Sequence, residues 1–253
     1  MIDLHSFTFN GVSSRSFNAA VVNKEIYKGA ARDVQIISAP GRHGDIIIDN
    51  GRYKNVKIMY EVAAQVYDYT DGTSEGRNLV NITQDLKAHL LANVGYYQLT
   101  DTYDPDFFRM AAYTEEFDMK QDSRFFGTAK ITFNCKPHKY QVAGYQRQTH
   151  TEPFRLENPL PFDAEPYIKI YGSGDIVLRT VDANTLIETD YAFVNVDEYI
   201  EIDTADMVVF KGNTLQNHKF KGEKFPTLGV GVTYVTWTKG VTKTEIIPRW
   251  RCL

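Results

Sequence analysis

The sequence predicts a mainly β protein carrying one α-helix, divided into two domains near residue 145. Three observations predict it. Apolar and polar residues alternate through most segments, the period of a half-buried strand. The period changes to three or four in one place only. Beyond residue 146 every segment reads as a short strand between turn residues, the pattern of a β-sandwich or jelly roll.

Taken in order, SFTFNG and NAAVVNKEIY read as short strands. In SAPGRHGDIIIDNGRYKNVKIMYEVAAQVY, Pro40, Gly41 and Gly44 mark a loop, and Asn50 and Gly51 mark a tight hairpin turn. Val56, Ile58, Tyr60 and Val62 then alternate with Lys57, Met59 and Glu61. A helix is expected over about 75–93, where Leu79, Ile82, Leu86 and Leu90 form one apolar stripe. Thr73 or Ser74 suits its cap, and Glu75 the positive end of its dipole. FFRMAAYTEEFDMK and RFFGTAKITFNCKP form a long hairpin over about 107–137, reversing around Gln121, Asp122 and Ser123. In its second arm Phe125, Ala129, Ile131, Phe133 and Cys135 share one face. Alternation over about a dozen residues is long for a strand. Such a hairpin reaches beyond its own domain, and its edges want a partner.

Residues 138–157 are polar and broken. The boundary is therefore expected here, giving domains 1–145 and 146–253, with the last residues free to return to the first domain. YIKIYG, DIVLRT, YAFVNV, YIEID, MVVFKG, VTYVTW and VTKTEII supply the strands of the second.

Composition narrows the function. Hydrophobic residues make up 43 % and charged residues 24 %, enough for a sizeable core. The net charge is -4, with 16 Lys+Arg against 17 Asp+Glu up to residue 145 and 12 against 15 after it. Neither half has the basic excess of a nucleic-acid reader. The two cysteines, Cys135 in an alternating strand and Cys252 near the end, suggest no disulfide framework. MIDLHSFTFNG has no basic stretch followed by an apolar run, so no signal peptide is expected. No run approaches the length of a membrane span. The chain is expected to be made and kept in a cytoplasm unless an assembly carries it out.

Candidate chemistry is sparse. In YIKIYGSGDIVLRT, Gly172 and Gly174 fill the first two places of a dinucleotide loop, but Val177 stands at the third and no helix follows. A turn between strands is the better reading. Asp101, Asp104 and Asp106 lack the Gly and terminal Glu of a calcium loop, so turn chemistry around Pro105 explains them. Glu115 and Glu116 face opposite sides of a strand. No two of the six histidines have metal-ligand spacing. His43 sits with Arg42 and Asp45 in a Gly-rich loop, best read as a polar hairpin tip or subunit contact. Cys135 and His138 lack a third group and oxyanion donors. Phe225, Tyr234, Trp237 and Trp250 would stack on sugars if exposed, but core packing is the simpler expectation. No cofactor, metal or catalytic residue is expected.

NPLPFDAEPYIKIYGSG, YIEIDTADMVVFKGN and KFPTLGVGVTYVTWTKGVTKTEIIPRWR resemble, in order, three segments of the distal tail (Dit) protein family. These are proteins of long-tailed siphophages that infect Gram-positive bacteria, with lactococcal-type baseplate hubs among them. PGRHGDIIIDNGRYKNVKIMYEV resembles a fourth segment, near the N-terminus. Departures are small, such as Lys239 where Gly is common. The resemblance implies a structural virion protein: a hexameric ring at the distal end of a phage tail, with a channel for DNA in transit. It implies an N-terminal ring-forming domain, a long hairpin belting one subunit to the next, and a galectin-like C-terminal sandwich. Implied partners are other copies of the chain, the major tail tube protein, the tail-tip hub or tail-associated lysin, and upper baseplate or receptor-binding proteins, with no membrane. Carried onto the 107–137 hairpin, the belt would use Phe125, Ala129, Ile131 and Phe133. A near-neutral chain suits a channel in which DNA slides, since phosphate contacts would act as brakes. The competing reading is a carbohydrate-binding adhesion module on the host wall. A hydrolase is weaker still, because no convergent acid, base or nucleophile appears.

Overall fold

The computed structural model describes residues 5–24, 28–66, 78–123 and 125–253. The chain is mostly strand with one α-helix, as its patterning requires, and divides into two compact units, Met1–Lys139 with Leu253, and Tyr140–Cys252.

Unit 1 contains β1 (Phe7–Phe9), β2 (Val12–Ser13), β3 (Ala19–Lys24), β4 (Arg32–Ile37), β5 (Ile46–Tyr53), β6 (Val56–Gln65), α1 (Leu79–Leu91), β7 (Tyr97–Asp101), β8 (Phe107–Ala112), β9 (Met119–Ser123) and most of β10 (Phe126–Gln141). Its main sheet runs β2-β1-β7-β8-β10-β6-β3, with β9 on β10. The alternation in β6 buries Val56, Ile58, Tyr60 and Val62. That in β10 buries Ala129, Ile131, Phe133 and Cys135. Phe133 is the hub of an aromatic cluster, its ring centroid 4.9 Å from Phe9, 5.5 Å from Phe7 and 5.8 Å from Tyr113. α1 lays its stripe of Leu79, Ile82, Leu86 and Leu90 onto the same core.

Three local expectations are corrected. The helix starts at Leu79, capped by Asn78, whose side chain accepts the Asn81 N–H at 2.9 Å. The expected caps Thr73 and Ser74, with Glu75, lie outside the described residues. Asn50 and Gly51 do not close a hairpin. They sit inside β5, where Arg32 pairs with Tyr53 but Val34 with Asp49, so the extra residues form a bulge with Gly51 at φ 70. The hairpin expected over 107–137 is broken. Its first arm is two strands, β8 and β9, and Gln121–Ser123 belong to β9, so the reversal follows Ser123.

Unit 2 contains β11 (Gln148–His150), β12 (Phe154–Asn158), β13 (Tyr167–Gly172), β14 (Gly174–Asp182), β15 (Glu188–Val196), β16 (Tyr199–Asp203), β17 (Val208–Lys211), β18 (Thr214–Leu215), β19 (Gly231–Trp237), β20 (Val241–Ile247) and β21 (Arg251–Cys252). One sheet runs β11-β20-β13-β16-β17-β18 and the other β12-β19-β14-β15. Both feed one core, Ile168, Ile170, Ile200 and Ile202 from the first and Ile176, Leu178, Phe193 and Val235 from the second. The glycine-rich stretch passes the chain from one sheet to the other: β13 ends at Gly172 and β14 begins at Gly174, with Ser173 between them. Gly174 has φ 84, and a Cβ at Gly172 would lie 2.4 Å from the Gly240 carbonyl oxygen. Both glycines are required by backbone geometry, and the following segment is a strand.

Candidate functional site

The feature of unit 1 that its core does not explain is the β4–β5 hairpin. It forms a two-stranded sheet of its own. Two strands alone are marginal in water. Yet VQII and DIII carry apolar residues on both faces. Ile36 pairs with Ile47 on one face, and Ile37 with Ile46 on the other, beside Ile48. Ile36, Ile37, Ile47 and Ile48 are 65 %, 43 %, 68 % and 43 % exposed. A contiguous apolar surface of this kind on an isolated ribbon marks a place where another surface lands.

Charges pin the base of this arm. Arg32 bonds Asp49 across the strands at 2.7 Å and lies 5.1 Å over the Tyr53 ring. Arg52 donates to Asp33 at 2.7 Å, with Lys54 3.5 Å from the same carboxylate. The Arg52 hydrogen bond beside Asp33 holds its carboxyl below the usual carboxylate range. These pairs are exposed and contribute orientation more than stability. Arg42, His43 and Asp45 all lie exposed at the tip of the arm, in the loop joining β4 to β5.

The residues expected to form the belt sit elsewhere. Ala129, Ile131 and Phe133 face the core of their own unit and are buried there, so they have no surface left for a neighbouring subunit. The belt assignment to these three is corrected, because the face that alternation marked is covered by this chain. Phe125 alone is exposed. The residues that sequence reading passed over are the four isoleucines of the arm. Their signal was present: two β-branched runs without alternation flank the Pro40–Gly44 loop.

The other candidate groups serve structure. Asp101 accepts from Lys24 Nζ and from the Tyr60 hydroxyl, each at 2.6 Å, through one carboxylate oxygen. Its other oxygen accepts the N–H groups of Tyr103 and Asp104. Burial pushes this carboxyl up, but the bonds from Lys24 and Tyr60 outweigh it and the group ends below its ordinary value. Asp104 pairs with Lys139 at 2.7 Å. Cys135 is fully buried, and burial pushes its thiol up to about 12, out of reach of nucleophilic use near neutrality. Trp250 is buried, Phe225 and Trp237 pack against the core of unit 2, and Tyr234 is exposed. Among the described residues no cluster of His, Cys, Asp and Glu could hold a metal ion, and no helix is long and apolar enough to cross a membrane.

The geometry is that of a β-rich scaffold with a projecting apolar arm and a sandwich unit. No family model matches the chain, and no curated protein matches it. Among solved structures it is similar to that of the Dit protein of phage SPP1, described as a paradigm of the hub adsorption apparatus in phages that infect Gram-positive bacteria. The TM-score is 0.69 at 13 % identity, covering 96 % of this chain and 98 % of that one. The chain therefore has the Dit fold over nearly its whole length.

Proposed function

We propose that the chain is a structural component of a phage tail tip: a distal tail protein that assembles as a hexameric ring. The ring joins the tail tube to the tail-tip hub or tail-associated lysin, gives baseplate or receptor-binding components a platform, and leaves a central channel for DNA. Unit 2, read as a galectin-like sandwich, is the outward docking module. The virion is where it works, after synthesis in the host cytoplasm. The fold likeness to a phage hub protein along both chains supports the tail-tip role.

The single observation that carries self-assembly is the β4–β5 arm, with isoleucines exposed on both faces. The belt is accordingly reassigned from 107–137 to Arg32–Tyr53, and its occupant is a second copy of this chain. The tip loop with Arg42, His43 and Asp45 contacts that copy. An exposed apolar ribbon gains most by lying across a neighbour, through burial and edge pairing together. Light scattering behind a sizing column tests it. A mass near six times 28.9 kDa supports the ring. A monomer across a concentration series would overturn it.

A further inference from the structure

Unit 2 carries an open surface cavity of about 290 Å³. Its floor lies on the inward face of three adjacent strands, at the point where the aliphatic core stops. Along β14 the inward positions run Ile176, Leu178, Thr180 and then Asp182. Across the register Thr180 faces Thr189 of β15, and Asp182 faces Thr233 of β19. Hydroxyls and a carboxylate thus replace aliphatic side chains in one contiguous patch, with Tyr191 beside it.

These groups are not satisfied by the protein. Thr180, Tyr191 and Thr233 are only 7 %, 4 % and 3 % exposed. Among the described residues, none of their hydroxyls has a hydrogen-bond partner in the chain. The three oxygens are not among the polar atoms sealed from solvent, so water in the open cavity can bond them and a ligand's hydroxyls can take its place. Asp182 is also held in place. Its Oδ1 accepts the N–H groups of Asn184 at 2.8 Å and Thr185 at 2.9 Å. Its Oδ2 approaches so near Gly229 that a Cβ there would lie 2.7 Å away.

We propose that this cavity binds a neutral saccharide unit. Hydroxyl and carboxylate groups in a shared patch match the alternating donors and acceptors of a sugar ring. Ile187 and Val230 supply an apolar wall for its C–H face. Asp163 and Asp182 line the cavity and no Lys, Arg or His does, which disfavours phosphorylated or acidic sugars. The volume sits at the lower end of small-molecule sites, roughly 300 Å³ and upward, which suits one pyranose ring. The ligand is a single neutral sugar, free or at the end of a surface polysaccharide. This inference does not depend on the ring, because it concerns one unit of one subunit.

The test is saturation-transfer NMR on the full chain, in whatever oligomeric state it adopts. The probes are glucose, galactose, rhamnose and N-acetylglucosamine, free and as methyl glycosides, each at about 5 mM. At least one should receive saturation from the wild type. Binding of the methyl glycoside assigns the chain-end source, and binding of the free sugar alone assigns the free one. Thr180→Val with Thr233→Val keeps side-chain shape and should weaken binding about tenfold or more. Asp182→Asn keeps an acceptor for the two backbone N–H groups and should weaken it similarly, which carries the test if the double variant melts early. Glucose 6-phosphate should bind more weakly than glucose. The proposal is overturned if no sugar binds the wild type, leaving about ten waters in the cavity. It is equally overturned if folded variants bind undiminished, or if the phosphorylated sugar binds as well as the neutral one.

Discussion

Replacing Ile36 and Ile47 together by Ser should take the proposed ring apart while leaving the subunit folded. The two form a cross-strand pair on one face of the arm. They are 65 % and 68 % exposed, so each has about two thirds of an isoleucine to hide in an interface. Full burial of such a side chain contributes about 1.5–3 kcal/mol, and two thirds of that is about 1–2 kcal/mol. At each interface of that proposed ring the pair would therefore contribute about 2–4 kcal/mol. That converts to a roughly 30- to 700-fold weaker association per contact, repeated around the ring. The losses of translational and rotational freedom are the same for both proteins and cancel in the comparison.

The folded subunit should hardly notice, because exposed substitutions away from the core stay within about 0.5 kcal/mol. The assay is sedimentation velocity over a dilution series, paired with a thermal melt of each protein. The wild type should remain a large species at dilutions where the variant is a monomer, with closely similar melts. A variant that stays assembled throughout refutes the arm as the belt. It would do so cleanly, since Ile131 and Phe133 are already committed to the subunit core.

Three further outcomes follow from the geometry. Phe133→Ala empties the centre of the aromatic cluster and should lower stability by about 3–5 kcal/mol in urea unfolding, while Ile131→Asp should abolish folding altogether; a soluble, folded Ile131→Asp ring would contradict the buried placement. Arg249 forks onto Asp203 at 2.7 and 2.8 Å with both side chains largely covered, so Arg249→Ala should cost about 3–5 kcal/mol by stranding the carboxylate, and a loss under about 1 kcal/mol would refute that role. Glu245 bonds Lys243 at 2.7 Å and Arg147 at 2.8 Å, and its carboxyl is lowered from 4.5 to about 2, with the Lys243 bond as the main cause. Because the folded pKa is depressed, this stability is complete above pH 4.5 and lost as pH falls toward 2. It amounts to at most about 3 kcal/mol, less once solvent screens the partly exposed Lys243 and Arg147. Urea melts of Glu245→Gln should therefore lose the wild type's slope between those two pH values, and an unchanged slope would point to another carboxylate.

Elements whose partner is local could be read from the chain. The stripe of Leu79, Ile82, Leu86 and Leu90 fixes a helix and its buried face within a few turns. The alternation of β6 and β10 fixes which side chains are covered. It does not say by what. Ile131 and Phe133 read equally well as a face for another subunit or for their own core, and only the closing of the sheet around Phe7, Phe9 and Tyr60 decides. Asn50 and Gly51 show the same limit from the other side. The dipeptide favours a hairpin turn locally. The pairing of β4 with both ends of β5 instead carries the strand through it, and the positive φ of Gly51 is used for a bulge.

The β-branched side chain does three jobs in this molecule, and they differ in sequence by very little. Isoleucine at 168, 170, 200 and 202 fills a sandwich core. Isoleucine at 36, 37, 47 and 48 is left in water on a ribbon too thin to cover it. Threonine at 180, 189 and 233 keeps strand propensity while turning hydroxyls into an inward-facing cavity. Propensity and period are the same in all three cases, so neither identifies a site. Register does. It places Ile36 opposite Ile47 with no second layer beyond them, and Asp182 opposite Thr233 where an aliphatic pair would otherwise close the core. Both places depart from what folding alone would select, which is where assembly and binding are to be sought.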